Sequence, residues 1–331
     1  MFLLGLDLGT SSVKASVIDA QSQKLIASAS YPENEAAILS VQPGWAEQDP
    51  LLWWEYIQQV ILKCNSQNLY NPDEIAAIGI SYQMHGLVMV DRGQNILRHS
   101  IIWCDSRAVD FGNEAFEKIG KQKCLSNLLN APGNFTASKL AWVKQNEPLV
   151  FEKAEKIMLP GDFIAMKFTG EISTSISALS EGVFWDFQKD EVSKDVLSYF
   201  GFTDSMIPSI RPLFSSHGNL KKDIADFLSL KEGIPVTYKA GDQPNNALAL
   251  NVMLPGEVAT TAGTSGVIYG ISNNLTFDQE SRINSFAHVT HSKDDPRIGV
   301  LLCVNGVGIF NHWIKKIAGR NLNYAEMNQL A

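Results

Sequence analysis

The chain has 331 residues, 45% of them hydrophobic and 19% charged, with a net charge of −8; this is the profile of a globular protein of one large or two ordinary domains, not of a disordered chain. The acidic balance excludes a broad nucleic-acid surface, which needs clustered Lys and Arg, but leaves room for an anionic nucleotide held by backbone N–H groups and a metal ion. Cys64, Cys104, Cys124 and Cys303 form neither a C-x-x-C pair nor a Cys/His cluster, which argues against structural zinc and fits a reducing cytoplasm; the first residues do not read as a signal peptide, and no apolar run reaches membrane length.

Phe2 to Leu6 is short and apolar and leads into Asp-Leu-Gly-Thr, a pattern that predicts a buried strand ending in a tight turn. Val13 to Ile18 and Leu25 to Ser30 continue a strand meander. Asp49-Pro50 opens a helix, Asp as N-cap and Pro at the first helical position, and Trp53, Ile57, Val60 and Ile61 recur at helical spacing. Ile75 to Ile80 and Leu87 to Val90 read as strands, 108–119 and 136–146 as helices. Ile234 to Lys239 is a strand running into Gly241-Asp242, with a helix expected over Asn245 to Met253. Leu254-Pro255-Gly256 is a turn and the candidate boundary between a first domain over 1–250 and a second over 251–331. After it Val258 to Ile268 is again β-prone, and a last helix is expected over Tyr324 to Leu330.

Gly9-Thr10-Ser11-Ser12-Val13 and Gly263-Thr264-Ser265-Gly266-Val267 are the same element, each opening a strand-rich segment. One Gly-Thr-Ser is ordinary turn chemistry; two suggest a duplicated architecture holding a ligand between its halves. Such turns cradle phosphate with consecutive N–H groups and hydroxyls. No Walker-type phosphate loop and no G-x-G-x-x-G after the first strand occur, which argues against a P-loop and against a Rossmann dinucleotide site. Asp7 and Asp242 each close a buried strand, where a carboxylate reaches a cleft and could hold a metal or take a proton; each is equally a cap or turn former when read alone.

The ordered blocks Asp7 to Lys14, Gln83-Met84-His85-Gly86, Ile102 to Arg107, Ala240 to Gln243 and Thr261 to Gly266 resemble the FGGY carbohydrate kinases over nearly the whole chain. The resemblance implies an α/β fold of the actin-like, hexokinase-like (ribonuclease H-like) type, two duplicated domains around a central cleft. It implies ATP and Mg2+ as co-substrate and cofactor, with Asp7 and Asp242 at the metal. Gly9, Thr10, Ser11 and Lys14 would form the first phosphate loop, Gly263, Thr264 and Ser265 the second, and Gly306 would lie on the nucleotide side. Asp242 would be the catalytic base. Met84 and His85 stand where glycerol kinases carry an Arg-Glu pair and are similar to the xylulokinase branch, which implies D-xylulose as the acceptor sugar. Met84 would pack against sugar carbons, and His85 would bond a hydroxyl or the ketone; without the other blocks both read as core residues. Trp103 and Asp105 would add substrate contacts, but Trp103 reads equally as core and Asp105-Arg107 as a structural ion pair. Phe135, Thr136 and Lys139 match a further block near the cleft and read equally as a helix start.

Two departures from the family pattern stand out. Gln243-Pro244-Asn245-Asn246 follows Asp242 where small residues are usual, so the pocket differs there, with Gln243 a substrate contact. The glycine-rich adenosine segment of the family is not found, which gives a second domain expected to be incomplete and a second candidate function, a sugar binder without turnover. Kinases for ribulose, fuculose or gluconate remain alternatives. An incomplete domain with an exposed core face favours self-association, so a homodimer is one expected assembly.

Overall fold

The computed structural model describes residues 1–262, 266–304, 306–318 and 322–330. Strands β1 (Phe2–Leu8), β2 (Val13–Asp19) and β3 (Lys24–Tyr31) form the expected meander. β4 (Ile75–Tyr82) and β5 (Val236–Gly241) complete a sheet of order β5-β4-β1-β2-β3. The meander pairs antiparallel, while β4 lies parallel to β1 and β5 parallel to β4. Three antiparallel strands followed by two parallel ones is the ribonuclease H-like arrangement expected from the resemblance.

Helices cover this sheet because parallel strands need crossovers. α1 (Pro50–Asn65) starts where expected, with the Asp49 carboxylate accepting from Leu51 N–H at 2.9 Å. Its stripe of Trp53, Ile57, Val60, Ile61 and Cys64 is buried with Leu4, Leu6 and Leu8 of β1. Strand side chains alternate between faces, so this packing turns Asp7 away from the leucine face. α2 (Val109–Ile119) and α3 (Thr136–Asn146) match their expected spans to within a residue and belong to a second apolar cluster. α4 (Pro160–Thr169) carries Asp162, whose buried carboxylate pairs with the buried Lys239 ammonium of β5. α5 (Ile176–Glu181) is capped by Ser175.

One expectation needs correction. α6 runs Asp242–Ala249, starting three residues earlier than expected and ending four earlier. Pro244 does not delay it, because the N–H groups of a first helical turn have no intrahelical partner to lose. Asp242 is therefore the first helical residue, directly after β5.

A second sheet follows the Leu254–Gly256 turn: β6 (Val258–Ala262), β7 (Gly266–Ser272), β8 (Asn284–Ala287) and β9 (Ile298–Val304), in the antiparallel order β6-β7-β9-β8. The β6–β7 hairpin repeats the β1–β2 hairpin, as the paired Gly-Thr-Ser elements imply. The second sheet is pinned to the first part of the chain through β8. Ser177 Oγ donates to Ala287 O at 3.0 Å, Ala287 N–H donates to Ser180 Oγ at 2.9 Å, and the Asn130 side chain bonds both Ser285 N–H and Ser285 O. α7 (Gly308–Ala318) and the helix Tyr324–Leu330 end the described chain, with Phe310, Trp313 and Ile317 of α7 exposed. Among the described residues no helix is long and apolar enough to cross a membrane.

Candidate active site

A cavity of about 380 Å³ opens between the two sheets. The first sheet and its loops contribute Gly9, Thr10, Gln83, Met84, His85, Trp103, Asn134, Phe135, Asp242 and Gln243; the second contributes Val267, Asn284, Leu301 and Cys303. Four sequence blocks widely separated along the chain thus meet at one place.

The first turn is built by Gly9, whose N–H donates to Ser12 O at 3.1 Å. A side chain there would bring Cβ within 2.9 Å of that carbonyl, so only glycine fits. Thr10 is the hub of a polar chain. Trp103 Nε1 donates to Thr10 Oγ1 at 2.9 Å, which donates to Gln83 Oε1 at 3.0 Å. Gln83 Nε2 donates to Gln48 Oε1 at 2.9 Å, and Gln48 Nε2 returns to Thr10 O at 2.8 Å. Trp103 is exposed at the cavity rim rather than buried as core. Ser11 is exposed and Lys14 lies outside the lining, 3.7 Å from Asp7.

Asp242 lines the cavity, half-buried at the junction of β5 and α6. Burial and then the Asp7 charge push its carboxyl up to about 6, against hydrogen bonds from Gln243 and the backbone that favour the anion. The Asp7 charge therefore reaches Asp242, although Asp7 itself is not part of the cavity lining. Among the described residues no group of three or more His, Cys, Asp or Glu side chains gathers in metal-binding geometry. Two carboxylates whose charges sense each other nonetheless suit Mg2+, which takes oxygen ligands and keeps several waters or phosphate oxygens.

Met84 and His85 line the same cavity. Met84 is buried, its Cγ 2.7 Å from where a Cβ on Gly241 would lie, and Glu181 Oε2 is 2.8 Å from the same point. A glycine ahead of Asp242 is thus required by packing, its φ of −57° being open to any residue. His85 has φ +62°, and its neighbours hold it there. Its N–H donates to Glu181 Oε1 at 2.7 Å, and its carbonyl accepts from Lys139 Nζ at 2.7 Å. Its ring meets Phe135 and Phe286 at centroid distances of 4.9 and 5.3 Å. Burial and then the Lys139 charge hold the imidazole down to about 3, so it stays neutral. Burial holds Lys139 down to about 7 and raises Glu181 well above the usual carboxylate range.

Asp105 does not join the cavity lining. Fully buried, its carboxylate accepts from Ala46 N–H at 2.5 Å and from Arg107 N–H and guanidinium, with Arg107 NH2 at 2.7 Å. Of its two sequence readings, the structural ion pair is the one the geometry fits. Gly306 is exposed and outside the lining. Gly263, Thr264 and Ser265 lie outside the described residues, although Val267 just beyond them reaches the cavity. Sequence reasoning missed Glu181, Gln48 and Asn284. For Glu181 a signal existed: it is a lone acid in the largely apolar run Ile176 to Trp185.

The model of the FGGY family of carbohydrate kinases, N-terminal domain, matches residues 2–249. The chain is 28% identical over 285 residues to the xylulose kinase of Escherichia coli, covering 86% of this chain and 57% of that protein. The solved xylulose kinase of Rhodospirillum rubrum superposes with a TM-score of 0.88 at 26% identity, over 100% of this chain and 66% of that one. A solved kinase from Brucella ovis, described as a xyloylose kinase, gives 0.87 at 29% identity, over 96% and 64%. The chain therefore spans roughly three fifths of the length of these relatives. With the sheet order, the repeated hairpin and the family match over three quarters of its length, the chain belongs to the FGGY family of carbohydrate kinases and has their actin-like, hexokinase-like α/β fold.

Proposed function

We propose that this chain carries the sugar site and the catalytic base of an ATP-dependent ketopentose kinase, converting D-xylulose to D-xylulose 5-phosphate. The observation that carries the reading is Asp242, set at the head of α6 in a cavity it shares with Met84, His85 and Gln243. A carboxylate with its affinity for protons raised to about 6 is still ionised at neutral pH, and it is a stronger base than an ordinary Asp. Asp242 accepts the hydroxyl proton as the sugar oxygen bonds to the γ-phosphorus of ATP and the bridging bond to the β-phosphate breaks, releasing ADP. In a loose transition state that proton leaves late, so placement matters more than basicity. Met84 offers an apolar face to sugar carbons, and Gln243 and Trp103 border the remaining polar rim.

Asp7 and Asp242 would hold Mg2+, which offsets charge on the phosphoryl group when bound. Gly9 and Thr10, with Gly263, Thr264 and Ser265 of the repeated turn, would take the phosphates, while Ser11 and Lys14 support the first turn. In this reading residues 1–250 form the sugar-side domain and 251–331 begin the nucleotide-side domain, divided at the Leu254–Gly256 turn. The first sheet ending at Gly241 and the second starting at Val258 support that division.

The test is ADP release with Mg-ATP across D-xylulose, ribulose, fuculose, gluconate and glycerol, with Asp242→Asn as control and sugar binding measured alongside. D-xylulose-dependent release abolished by the substitution supports the reading; release driven better by another acceptor replaces the substrate. Binding without release leaves a sugar-binding protein, the second reading.

A further inference from the structure

The sugar site contains a histidine whose hydrogen-bonding polarity is fixed before any ligand arrives. His85 Nδ1 lies 3.2 Å from the backbone oxygen of Glu181. A carbonyl oxygen only accepts, so Nδ1 must carry the proton. A neutral imidazole has one N–H, which leaves Nε2 with a lone pair. Nε2 makes no hydrogen bond among the described residues, and the ring borders the cavity. Phe135 and Phe286 confine the ring from two directions. The backbone that carries it is gripped at both polar groups, by the Glu181 carboxyl and the Lys139 ammonium, both fully buried. Glu181 thus acts twice on one residue, its main chain setting the ring and its side chain setting the main chain of His85. Its Oε2 also abuts Gly241, so the same carboxyl packs His85 against the end of β5, directly before Asp242.

We infer that Glu181 is a positioning residue that presents His85 Nε2 as an acceptor, so the bound sugar must donate a hydroxyl to His85 and cannot place its carbonyl oxygen there. This deepens the sugar-kinase reading and rests on it for the ligand, but not for the imidazole. A ketone oxygen opposite Nε2 would set two lone pairs against each other and leave both buried acceptors unpaired. Between the two partners open to His85 from sequence, hydroxyl or ketone, the geometry selects the hydroxyl. The C2 carbonyl of a ketose then lies elsewhere in the cavity.

The experiment has two arms. In the first, long-range proton–nitrogen correlation spectra of the ligand-free, nitrogen-15-labelled chain identify the protonated ring nitrogen of His85, assigned by its absence in His85→Gln. The expected state is Nδ1–H in the parent and in Glu181→Gln, which keeps an acceptor at Oε1. Glu181→Ala, which releases the His85 N–H, should show averaged tautomers. In the second arm, calorimetry follows D-xylulose and analogues with one hydroxyl replaced by fluorine, which cannot donate. One analogue should lose tenfold or more in affinity. Glu181→Gln should bind D-xylulose within about threefold of the parent and Glu181→Ala about tenfold more weakly, an order expected for one lost neutral hydrogen bond. A residue needed only for folding would not be rescued by Gln in affinity while leaving the melting temperatures of both variants alike. An Nε2–H tautomer in the ligand-free chain overturns the inference, as does parent-like affinity for every fluorinated analogue. Nδ1–H with no sugar bound at all would sink the kinase reading and leave the assignment of the ring standing.

Discussion

Asp242→Asn should abolish turnover and at the same time stabilise the ligand-free protein at neutral pH. The carboxyl of Asp242 is raised from an ordinary 3.8 to about 6, chiefly by burial and secondarily by Asp7. For an acid, a raised native pKa means that the native state binds the proton more tightly than the unfolded chain does. Between about pH 4 and pH 6 the unfolded chain has released its proton and the native protein has not, so stability falls as pH rises, and above that window the loss is complete. Each unit corresponds to about 1.4 kcal/mol, so ionising Asp242 costs roughly 2–3 kcal/mol at pH 7. Favourable interaction of the anion with the N-terminus of α6, worth about 0.3–1 kcal/mol, is lost in the Asn variant. A net gain of roughly 2 kcal/mol is expected. Urea unfolding of parent and variant, in chelator and without nucleotide, should give curves that coincide near pH 4, diverge through pH 6 and run parallel above it. Taking the difference between the two proteins removes the titrations that do not sense Asp242; Glu181 feels the Asp242 charge and is not among them. A variant no more stable than the parent at pH 7 would refute the claim that Asp242 sits in an anion-hostile site.

Gly241→Ala should cost about 1–3 kcal/mol, the usual range for overpacking, because the new methyl meets Met84 and Glu181; calorimetry should also show D-xylulose affinity falling at least tenfold, and unchanged affinity would separate the glycine from the sugar site. Arg107→Met strands the fully buried Asp105 carboxylate, whose guanidinium partner also stacks 3.8 Å from the Trp45 ring. Denaturation should record a loss of about 3–5 kcal/mol, with sugar affinity of the folded fraction within about threefold, since Asp105 is structural; selective loss of sugar affinity would return Asp105 to the substrate. Trp103→Phe and Thr10→Val, combined in a double-mutant cycle of unfolding free energies, should show a coupling of about 0.5–1.5 kcal/mol from the Nε1–Oγ1 hydrogen bond, and additivity would refute it.

What the sequence made legible follows from the range of the interactions involved. The meander, the strand ahead of Asp242 and α1 announce themselves through periodicity and an Asp-Pro cap, signals carried within a dozen residues. The start of α6 carries no local mark: Gly241 offers no side-chain cap, and a proline in the first turn fits a helix start and a preceding turn equally. Residues 151–233 stayed unread because their elements are short and are stabilised by distant partners, such as Lys239 for Asp162. The site divides the same way. Asp242, Met84 and His85 could be singled out from ordered blocks, whereas Glu181 acts through contacts 96 positions away in sequence. Asp105 shows the converse: a block resemblance brought it to the substrate, while its local neighbour Arg107 already accounts for its charge.

The closed polar circuit through Thr10, Gln83 and Gln48 joins the turn at the end of β1 to the residue just ahead of Met84. An occupant that displaces the Thr10 hydroxyl by a few tenths of an ångström must either stretch the bond to Gln83 or carry that amide along, and with it the start of the Met84-His85 segment. Were one ligand to bind at the turn and a second at Met84-His85, thermodynamic reciprocity would make any such influence mutual and equal in factor. The turn and the Met84-His85 segment of this one cavity would then be linked through three uncharged side chains, a link that neither titrates nor is screened by salt.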